Sequence, residues 1–165
     1  KNMENPLRAN FDSRGLVVGY VQSGKTANFT ALASKAADAG YKFIVVIAGS
    51  MNNLRNQTQN RLYESFIGKK GDFLIGVGKY ENDTSRIPIS LTNEYKDFNK
   101  QDADKIKHTF NFDNIKSPIL IVIKKESNVL ENVVNWLKTQ YPNGISNHAM
   151  LMIDDESDYC FCQTY

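Results

Sequence analysis

Residues 19–26 read Gly-Tyr-Val-Gln-Ser-Gly-Lys-Thr, with glycines at the first and sixth positions and a lysine and threonine directly after. A backbone that wraps an anion closely has no room for a Cβ where it turns, which accounts for Gly19 and Gly24. Apolar Leu16-Val17-Val18 precedes the stretch and residues 27–39 have helical composition, so a strand–turn–helix is expected. The amides of Gln22, Ser23, Gly24, Lys25 and Thr26 would then gather at a helix N-terminus, where the dipole also favours negative charge. This is the phosphate-binding P-loop pattern. It assigns Lys25 to the terminal phosphates and the Thr26 hydroxyl to one coordination position on Mg²⁺.

The 165 residues suffice for one α/β domain with a sizeable core. A start at Lys1 and a stop at Tyr165, soon after an apolar run, read as a fragment of a longer protein. The net charge of +2 gives no global basic field, so any nucleic-acid contact must be local. Apolar runs are strand-length and none is long enough to span a membrane. Cys160 and Cys162 are too close for an easy disulfide, and His108 and His148 show no ligand spacing. A reducing, cytoplasmic setting is expected.

Along the chain, residues 1–14 read as a lead-in loop and 15–19 as a first, buried strand. A helix over 25–39 carries Ala27, Phe29, Leu32, Ala33 and Ala36, and Gly40 stops it. A buried strand over 42–48 leads to a helix over 52–66, with Leu54, Leu62 and Phe66 as its apolar positions. The other face of that helix, Asn53, Arg55, Gln57, Thr58 and Arg61, is rich in hydrogen-bonding groups. Residues 72–77 suggest a weaker third strand. Residues 78–117 form a variable insertion, with a short strand near 87–91 and a helical turn near 102–108. The core pattern resumes with a strand over 118–123 and a helix over 127–139, Ser127 being its candidate N-cap. Leu130, Val133, Val134 and Leu137 form its stripe, and Trp136 beside them suits core packing better than base stacking. A last strand over 149–153 delivers Asp154-Asp155-Glu156-Ser157-Asp158.

This alternation calls for a doubly wound, mainly parallel three-layer sheet, with ligands at the carboxyl ends of the strands. The P-loop and the acidic cluster both fall there. Four carboxylates within five residues repel one another without a cation. Mg²⁺ beside a phosphate relieves that repulsion, with Asp155 holding the ion and Glu156 orienting or deprotonating the water that attacks a γ-phosphate.

Asp155-Glu156-Ser157-Asp158 resembles the DExD box of superfamily-two helicases, and residues 49–57 resemble their next motif, with Leu54 and Gln57 matching. Residues 21–42, the following Ala-Gly-Ser-Met-Asn-Asn-Leu-Arg-Asn-Gln-Thr-Gln-Asn-Arg-Leu, the Ile-Val-Ile-Lys-Lys strand end and the Ile-Asp-Asp-Glu-Ser-Asp box are similar to the Z-one domain family. Its members are bacterial proteins that carry the name endonuclease and a helicase-like ATPase core. The resemblance covers residues 14–158 apart from the variable middle. It implies a RecA-like P-loop NTPase lobe whose ATP site is formed by Lys25, Thr26, Asp155 and Glu156. It also implies that Asn53, Arg55, Gln57 and Arg61, with Lys124 and Lys125, track a nucleic-acid backbone, DNA favoured. A second RecA-like lobe with arginine fingers would complete the motor. Family members usually continue the box with Ala and Asn-Ala-Ser, whereas Ser157 and Tyr159-Cys160-Phe161-Cys162 stand here.

Two other classes fit parts of the pattern. A small-molecule phosphotransferase would use residues 78–117 as a lid, but the acidic box and the Asn-Leu-Arg-Asn-Gln helix speak against it. A nucleotide-binding scaffold that has lost hydrolysis would be expected to have lost Lys25, Thr26 or Glu156. Asp83 followed by Glu94-Tyr95-Lys96 matches the letters of a restriction-type nuclease site, yet its polar surroundings show no strand pair. Cutting residues are expected outside this chain.

Overall fold

Phe-Ile-Val-Val-Ile-Ala and Ile-Leu-Ile-Val-Ile-Lys are apolar on both faces, a pattern that belongs inside a parallel sheet covered on each side. The computed structural model describes residues 3–8, 11–17, 24–80, 86–101, 104–105, 113–144 and 148–155, without the side chains of Lys25, Thr26 and Tyr80. In chain order, α1 (Lys25–Ala39) leads to β1 (Phe43–Ala48), and α2 (Asn52–Leu62) continues into a π-helical turn, Tyr63–Ile67. A small hairpin of β2 (Lys69–Lys70) and β3 (Phe73–Leu74) is followed by the short α3 (Val77–Tyr80) and by β4 (Ile89–Ser90). The chain then forms β5 (Ile119–Lys124), α4 (Ser127–Gln140) and β6 (Met150–Asp154).

The main sheet has the order β4-β5-β1-β6, and every pairing in it is parallel. β1 is the centre, registered Phe43↔Ile119 through Ala48↔Lys124 on one side and Phe43↔Met150 through Ile47↔Asp154 on the other. Strand alternation splits the core into two layers. Ile44, Val46, Ala48, Leu120 and Val122 pack with Phe29, Ala33 and Ala36 of α1 and with Leu62 and Phe66. Phe43, Val45, Ile47, Ile119, Ile121 and Ile123 pack with Val133, Trp136 and Leu137 of α4. The protein is therefore α/β, a parallel sheet between two helical layers.

Several expectations need correction. Residues 15–17 are not in a strand, and Leu16 and Val17 are 77% and 64% exposed. The rest of the expected first strand lies outside the described residues. The third strand shrinks to β3, which pairs only with β2 in a separate exposed hairpin, because Gly71 at φ +57 turns the chain back at once. Ser127 is the first helical residue of α4 rather than its cap; Glu126 holds that position without a side-chain capping bond. Val134 is exposed while Trp136 is fully buried, edge-on to Phe98 with its Nε1 donating to Asp104 at 2.9 Å. Residues 100–101 and 104–105 are helical, the remainder of that expected turn being outside the described residues.

The β4 side of the sheet is closed by side chains as well as by a strand. β4 is only two residues long, so the backbone of β5 beyond it needs other partners. The Thr92 hydroxyl accepts from the Val122 amide at 2.9 Å and donates to Gln59 Oε1 at 2.8 Å. Gln59 is fully buried on α2 and its amide also donates to Ser90 Oγ, at 3.2 Å. Asp97 accepts from the Lys124 amide at 3.2 Å.

At the amino ends of the strands, Lys42 is 6% exposed and its ammonium donates to the carbonyls of Ile115 (2.5 Å) and Ser117 (2.9 Å). Burial pulls its pKa down to about 8, and nearby Asp113 acts in the opposite sense. Asp113 accepts from Tyr141 at 3.1 Å and meets His148 Nε2 at 2.7 Å, contacts that hold its carboxyl below the usual range. Between a folded-state value of about 8 and the ordinary 10.5, the unfolded chain binds more protons at Lys42, so this residue makes stability rise with pH. Urea unfolding at pH 7.5 and pH 10 checks this, since Lys42→Met removes that part of the rise.

Candidate functional site

Right-handed strand–helix–strand units put the N-termini of α1, α2 and α4 at the end of the sheet where β1, β5 and β6 finish. α1 packs against β6, so its N-terminus and the residues after β6 share one side of this edge. Gly24 is the N-cap of α1 in the left-handed conformation, φ 78 and ψ 25, which favours glycine strongly. Among the described residues no side chain caps α1, and its first turn holds no acidic residue. The first amides and the dipole of a helix suit an anion.

Asp155 follows β6 directly. Its amide donates to the Ile47 carbonyl at 2.9 Å, so the ladder runs one residue past β6 and fixes where the carboxylate starts. Alternation then separates two neighbouring acids. Asp154 shares the α4 face with Met150 and Met152, and Asp155 continues the α1 face of Leu151 and Ile153. The Asp154 carboxylate is held by Lys125 Nζ at 3.2 and 3.1 Å from its two oxygens. Among the described residues no group of three or more His, Cys, Asp or Glu could hold a metal ion. A hard carboxylate is the kind of group that suits Mg²⁺, which takes one or two protein oxygens and completes its shell from phosphate and water.

Of the other expected site residues, Gly19, Gln22, Ser23 and Glu156 lie outside the described residues, as do Asp83, Cys160 and Cys162, and Lys25 and Thr26 are placed by backbone alone. The expected nucleic-acid face is only partly exposed. Asn53, Gln57 and Arg61 lie on the surface of α2. Arg55 does not: it is 2% exposed, and its guanidinium donates to the carbonyls of Asn93 (2.8 Å), Glu94 (3.0 Å) and Lys96 (3.2 Å). Burial lowers the Arg55 pKa, with Asp97 and Tyr63 opposing. Thr58 is likewise buried. Lys124 pairs with Glu126 at 2.9 Å and Lys125 with Asp154 at 3.1 Å. Residues 93–96 form a loop clasped by Arg55, with no strand pair of the kind a restriction-type site needs.

Sequence reasoning missed the partnership of Lys125 with Asp154 and the buried role of Arg55. Strand parity could have found the first, because it places consecutive acids on opposite faces. Nothing local signals the second, since Arg55 binds a loop about forty residues away.

The chain matches no family model, no curated protein and no solved structure.

If Arg55 is an internal clamp, Arg55→Leu should lower the unfolding free energy by about 3 kcal/mol, through lost charged hydrogen bonds and stranded carbonyls. Urea denaturation measures it, and a change within the scatter of surface substitutions would contradict the clamp.

Proposed function

We propose that this chain is the ATP-binding first lobe of a helicase-like, nucleic-acid-dependent ATPase. The observation that carries the reading is the uncapped, acid-free N-terminus of α1, opened by left-handed Gly24 and packed beside the strand that delivers Asp155. The Gly-x-x-x-x-Gly-Lys-Thr spelling of residues 19–26 adds the loop and lysine that such a helix needs for a triphosphate.

In this reading the amides from Gln22 to Thr26 and the Lys25 ammonium bind the β- and γ-phosphates. Asp155 and the Thr26 hydroxyl hold Mg²⁺, which would screen charge on the phosphates when bound. Glu156 orients the attacking water and takes its proton. Arginine fingers would come from a second lobe, so hydrolysis by this chain alone is slow. Nucleic acid, DNA favoured, would meet the exposed Asn53, Gln57 and Arg61 on α2. The resemblance to the Z-one domain family supports the same reading, with any nuclease residues elsewhere in the parent protein.

Calorimetry with Mg²⁺ and a non-hydrolysable ATP analogue tests it. The chain should bind, and Lys25→Ala should weaken binding about tenfold or more by removing a charge-assisted contact. A folded chain with no affinity, or equal affinity in the variant, would sink the proposal. Rapid turnover by the chain alone would contradict the need for a second lobe.

A further inference from the structure

Lys125 sits just past β5, Asp154 ends β6, and β1 lies between them. Their ion pair at 3.1 Å therefore spans the carboxyl end of the central strand. The Lys125 side chain is 9% exposed and that of Asp154 37%, so the ammonium is largely covered while the carboxylate lies nearer the surface. The pair is thus half-exposed, with its cation the better covered partner. It lies on the α4 face, opposite the one that carries α1.

We infer that Lys125 is a positioning residue that holds Asp154 to the α4 face and so presents Asp155 to the α1 face as the carboxylate for a divalent ion. This rests on the nucleotide reading above and gives that site a part the P-loop and acidic-box motifs do not contain. The reasoning is geometric. Asp154 and Asp155 are adjacent, and two neighbouring carboxylates repel. With Asp154 neutralised by Lys125, the pair keeps its alternation and β6 keeps its register against Ile47. Without Lys125, Asp154 is an uncompensated charge beside the metal ligand, and the strand end can turn to share the cation between them. In this proposal the strut acts through Asp154.

Two measurements on the full chain test it. The first is the affinity for a fluorescent ADP analogue with Mg²⁺ and with chelator, in wild type, Lys125→Met, Asp154→Asn and the charge swap Lys125→Asp with Asp154→Lys. The gain in affinity on adding Mg²⁺ should fall about tenfold in either single variant, as for lost support of a metal ligand. Affinity in chelator should be unchanged, and the swap should recover most of the gain. The second is amide hydrogen exchange at Asp155, which should quicken in Lys125→Met while β1 and β5 amides stay protected. A variant that keeps both the wild-type Mg²⁺ gain and wild-type Asp155 protection overturns the inference. If wild type binds no nucleotide, the functional reading fails by itself; quickened exchange at Asp155 would still support the strut, and unchanged exchange would overturn it.

Discussion

The rest of the structure hangs on β1 being paired on both sides. Phe43 to Ala48 are all buried, and their backbone groups have partners only because β5 and β6 flank them in parallel. Parallel pairing forces each connection to run the length of the sheet, and so every strand finishes at the same edge. The gathering of helix N-termini at that edge follows from the pairing. Burying these strands also excludes charge from their middles, so polar groups are pushed to the two ends. At one end Lys42 is held by carbonyls; at the other Lys125 meets Asp154.

The insertion illustrates how a region without clean periodicity can still be determined. Its strand is two residues long, yet Thr92 and Asp97 replace missing strand atoms by accepting from the Val122 and Lys124 amides. Gln59 and Arg55 then fasten the same segment to α2 from behind. A helix surface rich in Asn, Gln and Arg looks like a binding face for an external polymer. Here Arg55 and Gln59 are spent on the chain's own loop. The same donors suit a phosphate backbone or a row of carbonyls, and composition cannot tell the two apart.

What the sequence made legible was what short-range physics decides. The stops at Gly40 and Gly68 are left-handed, at φ 100 and φ 79, and the two central strands and α1 lie within a residue of where periodicity puts them. Trp136 packs in the core, as its place beside an apolar stripe implied. The acidic residues were legible as a group but not as individuals, because which one faces α1 depends on the register of β6 against β1. Arg55 was misread for a related reason: its partners lie in a loop that no helical period can indicate. The hairpin of β2 and β3 shows the converse, since an apolar Phe73-Leu74 remains 78% and 41% exposed when no layer covers it.

The same point explains the first expected strand. The path from β1 to β5 runs over α2 on one face, and the return from β5 to β6 runs over α4 on the other, so both crossovers have one hand. α1 lies on the α2 face and feeds β1. The same hand puts any strand that feeds α1 on the β6 side, beyond β6 itself. There β6 alternates between cover and exposure, with Met150 and Met152 36% and 47% exposed while Leu151 and Ile153 pack inward. A strand added at that edge would have α1 over one face and, among the described residues, no layer over the other. Leu16 and Val17 would then gain about half the burial that Val45 or Ile121 enjoys, against the same backbone ordering cost of about 1–2 kcal/mol per residue. How much an apolar segment gains by becoming a strand is therefore a property of the neighbouring layers rather than of the segment itself.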